Sequence, residues 1–217
     1  MINPAEVTNY NRTQYELEEF ILFCINVAGK KSSIEAPKLE VFIERAKDIT
    51  KEATPFNCIR KLIKLGRLQE IMHWAKLSPY AQRYNSYVTV VKIQDLQTVT
   101  LNRLLQVAGI GLKTARFFLS HSREDFDEPM LDTHILRFLR DQGHTDAPKS
   151  TPTKENTYHY FANIFKDIAR QLGKSVTDLD LEIWKKYSGT AQVDISTILI
   201  VAFAIGIIRA ILETRED

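Results

Sequence analysis

Cysteine is scarce in this chain: Cys24 and Cys58 are the only two among 217 residues. Two thiols are too few for the disulfide framework of a small secreted domain, and too few for a four-cysteine zinc or iron–sulfur site. Cys24 lies in the apolar run Phe20 to Val27 and is expected to be a buried free thiol. The sequence shows no signal-peptide pattern, so a reducing, cytoplasmic setting is expected. Long hydrophobic runs are also missing. The most apolar stretch, Thr197 to Leu212, runs for only about a dozen residues before Arg209, short of the roughly 20 that a membrane-spanning helix needs. It is expected to be a buried core helix, capped near Asp194 or Ser196, and no membrane association is expected. There is no internal repeat or low-complexity tract. There is also no zinc-ligand spacing, no phosphate loop of the nucleotide-hydrolase type and no nucleophile elbow.

What is present is an ordinary globular composition with ample material for a core. The net charge of +2 is too small to indicate a nucleic-acid partner. Its distribution says more: residues 29–76 hold eleven Lys/Arg against six Asp/Glu, while residues 178–217 hold four against seven. One basic face and a merely solvated helix surface explain that asymmetry equally well.

Helical periodicity runs through most of the chain. Met1 to Asn11 is polar and expected to be loosely attached. Thr13 to Val27 carries Phe20, Phe23, Cys24 and Val27 on one stripe and ends at Ala28-Gly29. A second helix is expected over Ile34 to Ile49, and a third helical region over Phe56 to Lys76. In that region Arg60, Lys61, Lys64 and Arg67 share one side, as a phosphate-tracking stripe or a solvated face. Tyr80, Tyr84 and Tyr87 recur at helical spacing and suit packing more than base stacking. Val88 to Val91 is expected to be a loop or bend. Gly143 to Asn156 is the clearest linker, followed by an amphipathic helix over Thr157 to Leu172 and a short helix over Asp178 to Tyr187.

The chain is organised around Leu104 to Arg137. Gly109-Ile110-Gly111 separates two apolar helical patterns and permits a very tight turn. Because the turn opens a helix, its uncovered N–H groups and the positive helix end point the same way, which suits a phosphate. Lys113 follows in the first helical turn, and nineteen residues later Asp132 begins Asp132-Thr133-His134, an N-cap pattern ahead of Ile135, Leu136 and Phe138.

Gly109-Ile110-Gly111-Leu112-Lys113-Thr114-Ala115 with Leu131-Asp132-Thr133-His134-Ile135-Leu136-Arg137 resembles the helix-hairpin-helix DNA glycosylases. The match is to the lysine-bearing branch of endonuclease III and the 8-oxoguanine glycosylases. The resemblance implies an all-α fold of two helical lobes with an active-site cleft between them. A bundle over 20–141 would carry the hairpin, and the chain ends, 1–19 with 151–217, would form the second lobe. It implies double-stranded DNA with a damaged or modified base as the partner, and a monomer. Gly109, Gly111 and Thr114 would meet the DNA, as would Lys30 and Lys31 at the first interhelical corner, where the usual gap-filling polar side chain is missing. Lys64 and Arg67 are further DNA-contact candidates. Endonuclease III holds an iron–sulfur cluster with four C-terminal cysteines, so its absence here implies no cofactor. The resemblance leaves room for a monovalent cation at the hairpin.

The chemistry follows from the two residue types. Breaking the bond between sugar and base develops positive charge on the sugar, which a carboxylate stabilises; Asp132 is that candidate. An amine attacks only when neutral, so Lys113 has to give up its proton before it can attack C1′. The target base has to leave the stacked duplex to be reached. Phe161, Asp180, Trp184 and Tyr187 are weak candidates for its pocket, and His134 for a supporting role. The expected function is base excision with β-elimination, with 8-oxoguanine as the first-choice base. The alternatives are a modified pyrimidine, or a catalytically silent DNA-binding module.

Overall fold

The computed structural model describes residues 2–3 and 7–187. Among them are ten α-helices and no strand. The chain divides into two compact units: Met1–Met130 with Thr153–Thr157, and Leu131–Pro152 with Tyr158–Asp217, described as far as residue 187. The apolar stretch at 197–212, with its caps near 194–196, lies outside the described residues.

The first unit begins with α1 (Gln14–Val27). Thr13 starts it with a reciprocal capping box, its hydroxyl taking the Glu16 N–H while the Glu16 carboxylate takes the Thr13 N–H. The expected boundary between residues 19 and 20 therefore falls inside one continuous helix. Residues 7–12 are also held more firmly than their polar composition suggests. Arg12 donates to the carbonyls of Val7, Asn9 and His121 while its guanidinium sits 3.9 Å over the Phe20 ring. Thr8 Oγ1 meets His121 Nδ1 at 2.8 Å, and burial pushes that imidazole down to about 4.

Helix α2 (Ser32–Thr50) packs against α1 and α3 (Pro55–Lys64), whose first turn has Thr54 as cap and Pro55 at its start. The helical region expected over Phe56 to Lys76 is broken at Gly66, where φ is +66°, and resumes as α4 (Leu68–Trp74). Helix α5 (Tyr80–Val90) takes in most of the segment expected as a loop at Val88 to Val91, because Val90 and Tyr87 are fully buried and repay a helical register. Asn26 Nδ2 donates to the Tyr87 hydroxyl oxygen at 2.6 Å in a buried polar cluster. There Arg83 bridges Glu35 at 2.7 Å and the Asn26 carbonyl. Burial alone would raise the Glu35 carboxyl, but hydrogen bonds from Lys38 and Arg83 hold it below the usual range. Removing one member of such a buried pair costs about 3–5 kcal/mol. This cluster fastens the α1–α2 corner to α5. The unit closes with α6 (Leu101–Leu105) and α7 (Leu112–Ser120), the two arms of the hairpin.

The second unit contains α8 (Thr133–Asp141), most of α9 (Glu155–Gln171) and α10 (Val176–Tyr187). Phe138 meets Phe165 edge-on at 6.2 Å, and α10 packs on α8. Among the described residues, no helix is long and apolar enough to cross a membrane, and no group of three or more His, Cys, Asp or Glu is placed to hold a metal ion. Cys24 and Cys58 are both buried, as free thiols; burial raises the Cys24 thiol far above its ordinary range.

Candidate active site

The hairpin turn is seated on α5. Ala108 N–H donates to Thr89 Oγ1 at 3.1 Å, while the Thr89 hydroxyl itself bonds back to Asn85 O at 2.7 Å. Gly109 adopts φ +80° and faces Ser86, so a Cβ there would stand 2.6 Å from Ser86 Oγ. Both constraints call for glycine. Gly111 differs: its backbone is extended, and a Cβ would meet nothing within 4 Å. As the N-cap of α7 it has no side chain with which to cap the first-turn N–H groups, an arrangement that suits an anion. Ile110, between the glycines, is buried and anchors the turn to the core. Lys113 stands exposed in the first turn of α7, with half-buried Thr114 beside it. Gly109, Gly111, Lys113 and Thr114 thus share one turn, as their spacing predicts; Thr89 and Ser86, which carry no local signal in the sequence, lie with Gln82 along one face of α5.

Asp132 caps α8. Its Oδ1 accepts from His134 N–H at 2.8 Å and Ile135 N–H at 2.9 Å. Asp132 and His134 are both half-buried at the surface of the second unit, and Ile135 and Leu136 run into its core.

The remaining candidates are scattered. At the α1–α2 corner, Lys30 Nζ is turned back onto Ser78, 3.3 Å from its Oγ, with Glu35 at 3.9 Å, whereas Lys31 is exposed. The basic stripe is largely engaged within the protein. Arg60 donates to the Val91 carbonyl, Lys61 to the Thr50 carbonyl and Glu52, and Arg67 forms a two-point pair with Glu70. Lys64 remains exposed at the end of α3. In the second unit Phe161 and Asp180 are buried, while Trp184 is 41% exposed rather than in the core. Tyr187 donates to Asp141 Oδ2 at 2.6 Å, with the Arg137 guanidinium 5.0 Å over its ring. Burial and Asp141 together raise its phenol above the ordinary range.

No protein-family model matches the chain. A curated 8-oxoguanine DNA glycosylase/AP lyase of Saccharolobus solfataricus is 38% identical over 94 residues, 43% of this chain and 45% of that protein. The protein of the same name from Methanocaldococcus jannaschii is 30% identical over 110 residues, 50% of this chain and 52% of its own length. The chain thus spans about half the length of the curated relatives it matches. Among solved structures, the M. jannaschii 8-oxoguanine glycosylase/lyase in complex with 15mer DNA containing 8-oxoguanine superposes with a TM-score of 0.60, at 21% identity over 82% of this chain and 84% of that one. The 8-oxoguanine DNA glycosylase of Thermotoga maritima gives 0.61, at 22% identity over 83% and 84%. The chain is homologous to the 8-oxoguanine DNA glycosylases and has their fold. For this glycosylase homologue the all-α, helix-hairpin-helix expectation from the sequence holds.

Proposed function

We propose that this glycosylase homologue excises 8-oxoguanine from double-stranded DNA and then cleaves the strand by β-elimination, acting as a monomer in the cytoplasm. The observation that carries this is an amine and a carboxylate at the starts of two helices. Lys113 follows an open, glycine-capped hairpin, and Asp132 caps α8 through one oxygen. The hairpin N–H groups take a backbone phosphate, and the damaged nucleotide leaves the stack to be read. As the bond from C1′ to the base nitrogen breaks, the base departs with the bonding electrons and takes up a proton. Asp132 stabilises the positive sugar that forms. Neutral Lys113 bonds C1′ through Nζ, a proton passes from Nζ to the ring oxygen, that oxygen leaves C1′ with the bonding electrons as a hydroxyl, and a Schiff base results. Loss of a C2′ proton then expels the 3′ phosphate, and water releases Lys113 from the sugar. With two cysteines where an iron–sulfur cluster takes four, the reaction is proposed to run without one.

Duplexes that each carry one altered base, opposite each partner base, test the substrate. Release of 8-oxoguanine with concomitant strand cleavage is the expected result, and release of a modified pyrimidine in its place would reassign the substrate.

The two hairpin glycines separate folding from binding. Gly109→Ala meets a positive φ and Ser86 Oγ. It should lower the melting temperature by several degrees, since each kcal/mol moves a domain of this size by about 2–4 °C. Gly111→Ala has room within the protein and should melt like the parent. Its methyl nevertheless stands at the open helix end, so duplex affinity measured by fluorescence anisotropy should fall. Parental affinity in Gly111→Ala would place the phosphate elsewhere.

A further inference from the structure

The residue ahead of Asp132 is held at both of its backbone groups by side chains. Leu131 N–H donates to Tyr158 Oη at 3.0 Å, and Thr151 Oγ1 donates to the Leu131 carbonyl at 2.8 Å. Tyr158 lies on α9 and Thr151 in the connection before it, and both belong to the same unit as Leu131. Leu131 and Tyr158 are fully buried, so the bond between them has little competition from water, while the bond from half-buried Thr151 is partly covered.

The two bonds fix consecutive peptide planes. Leu131 N–H belongs to the peptide that joins Met130 to Leu131, and the Leu131 carbonyl to the peptide that joins Leu131 to Asp132. From the other side, Asp132 Oδ1 is fixed by the N–H groups of His134 and Ile135. Helix α8 does not depend on the clamp for its existence, since it has its cap and the buried residues Ile135, Leu136, Phe138 and Leu139. What the clamp adds is the direction from which the backbone arrives at Asp132.

We propose that Tyr158 and Thr151 are positioning residues that aim the Asp132 carboxylate at the developing sugar cation. This rests on the assignment of Asp132 to that cation. Charge stabilisation depends on where the carboxylate stands, and a displacement near 1 Å can cost about 10²-fold. The cation forms while the base departs. Cleavage of a strand that already lacks its base does not pass through it, so the clamp matters to the first reaction and not to the second.

The test uses the full chain with Tyr158→Phe, Thr151→Val, the double variant and Thr151→Ser. Each is assayed in single turnover for base release from an 8-oxoguanine duplex, and for cleavage of an abasic duplex. The double variant is expected to release base about tenfold more slowly, a modest misplacement on that scale, while abasic cleavage stays within about twofold. Thr151→Ser keeps the donor and should match the parent. Equal losses in both reactions would reduce the clamp to a structural role and overturn the proposal, as would unchanged base release. If the double variant fails to fold, the comparison of Thr151→Val with Thr151→Ser decides by the same ratio. A parent protein that released no base would instead sink the proposed function itself.

Discussion

Lys113→Gln is expected to lose the covalent adduct with DNA and all strand cleavage, while melting like the parent protein. Lys113 is exposed in the first turn of α7 and takes no place in the core, so its loss opens no cavity. Glutamine is close in length and carries no nucleophilic amine, so no Schiff base can form and the 3′ phosphate has no electron sink to drive its departure. Nonspecific duplex binding should persist, because the hairpin amides and Gly111 are untouched. The assay is borohydride trapping on an 8-oxoguanine duplex and on an abasic duplex, with circular dichroism as the control for folding. A folded Lys113→Gln that still forms the trapped adduct would move the nucleophile to another amine.

Asp132→Asn addresses the other half of the reaction. Asparagine keeps an oxygen that can accept from His134 and Ile135 N–H, so α8 retains its cap. Only the charge is removed. Base release from the 8-oxoguanine duplex should then slow on the order of 10²-fold or more, the scale at which an electrostatic contribution of this kind is lost. Binding to the same duplex should persist, and abasic DNA should be cleaved at closer to the parental rate. Base release at the parental rate would demote Asp132 to a helix cap.

The features legible in the sequence were those set by local pattern. The spacing of Gly109, Gly111 and Lys113 and the Asp132-Thr133-His134 cap placed both helix starts correctly, because turn and cap geometry depend on residues close in sequence. Residues supporting those starts were not legible, because they come from far along the chain. Thr89 reaches the hairpin across 19 positions, and Tyr158 reaches Leu131 across 27. A threonine in α5 and a tyrosine in an amphipathic stripe look like ordinary surface and core residues until the fold brings them to a backbone group. The basic stripe, open between a phosphate-tracking face and a solvated one, has partners that its spacing does not report. Arg60, Lys61 and Arg67 share helical spacing, yet each is engaged by a carbonyl or carboxylate of the protein. Periodicity reports which residues share a face, not what that face meets. Trp184, a weak pocket candidate in the sequence, stands 41% exposed on α10, where Ile183 and Leu179 take the buried positions.

The central claim is that Lys113 itself bonds the sugar. Incubating the protein with an 8-oxoguanine duplex under borohydride, digesting the trapped complex and sequencing the modified peptide by mass spectrometry tests that bond directly. The reduced sugar should be found on Lys113 Nζ; a sugar on any other amine, or base release without any trapped complex, would contradict it.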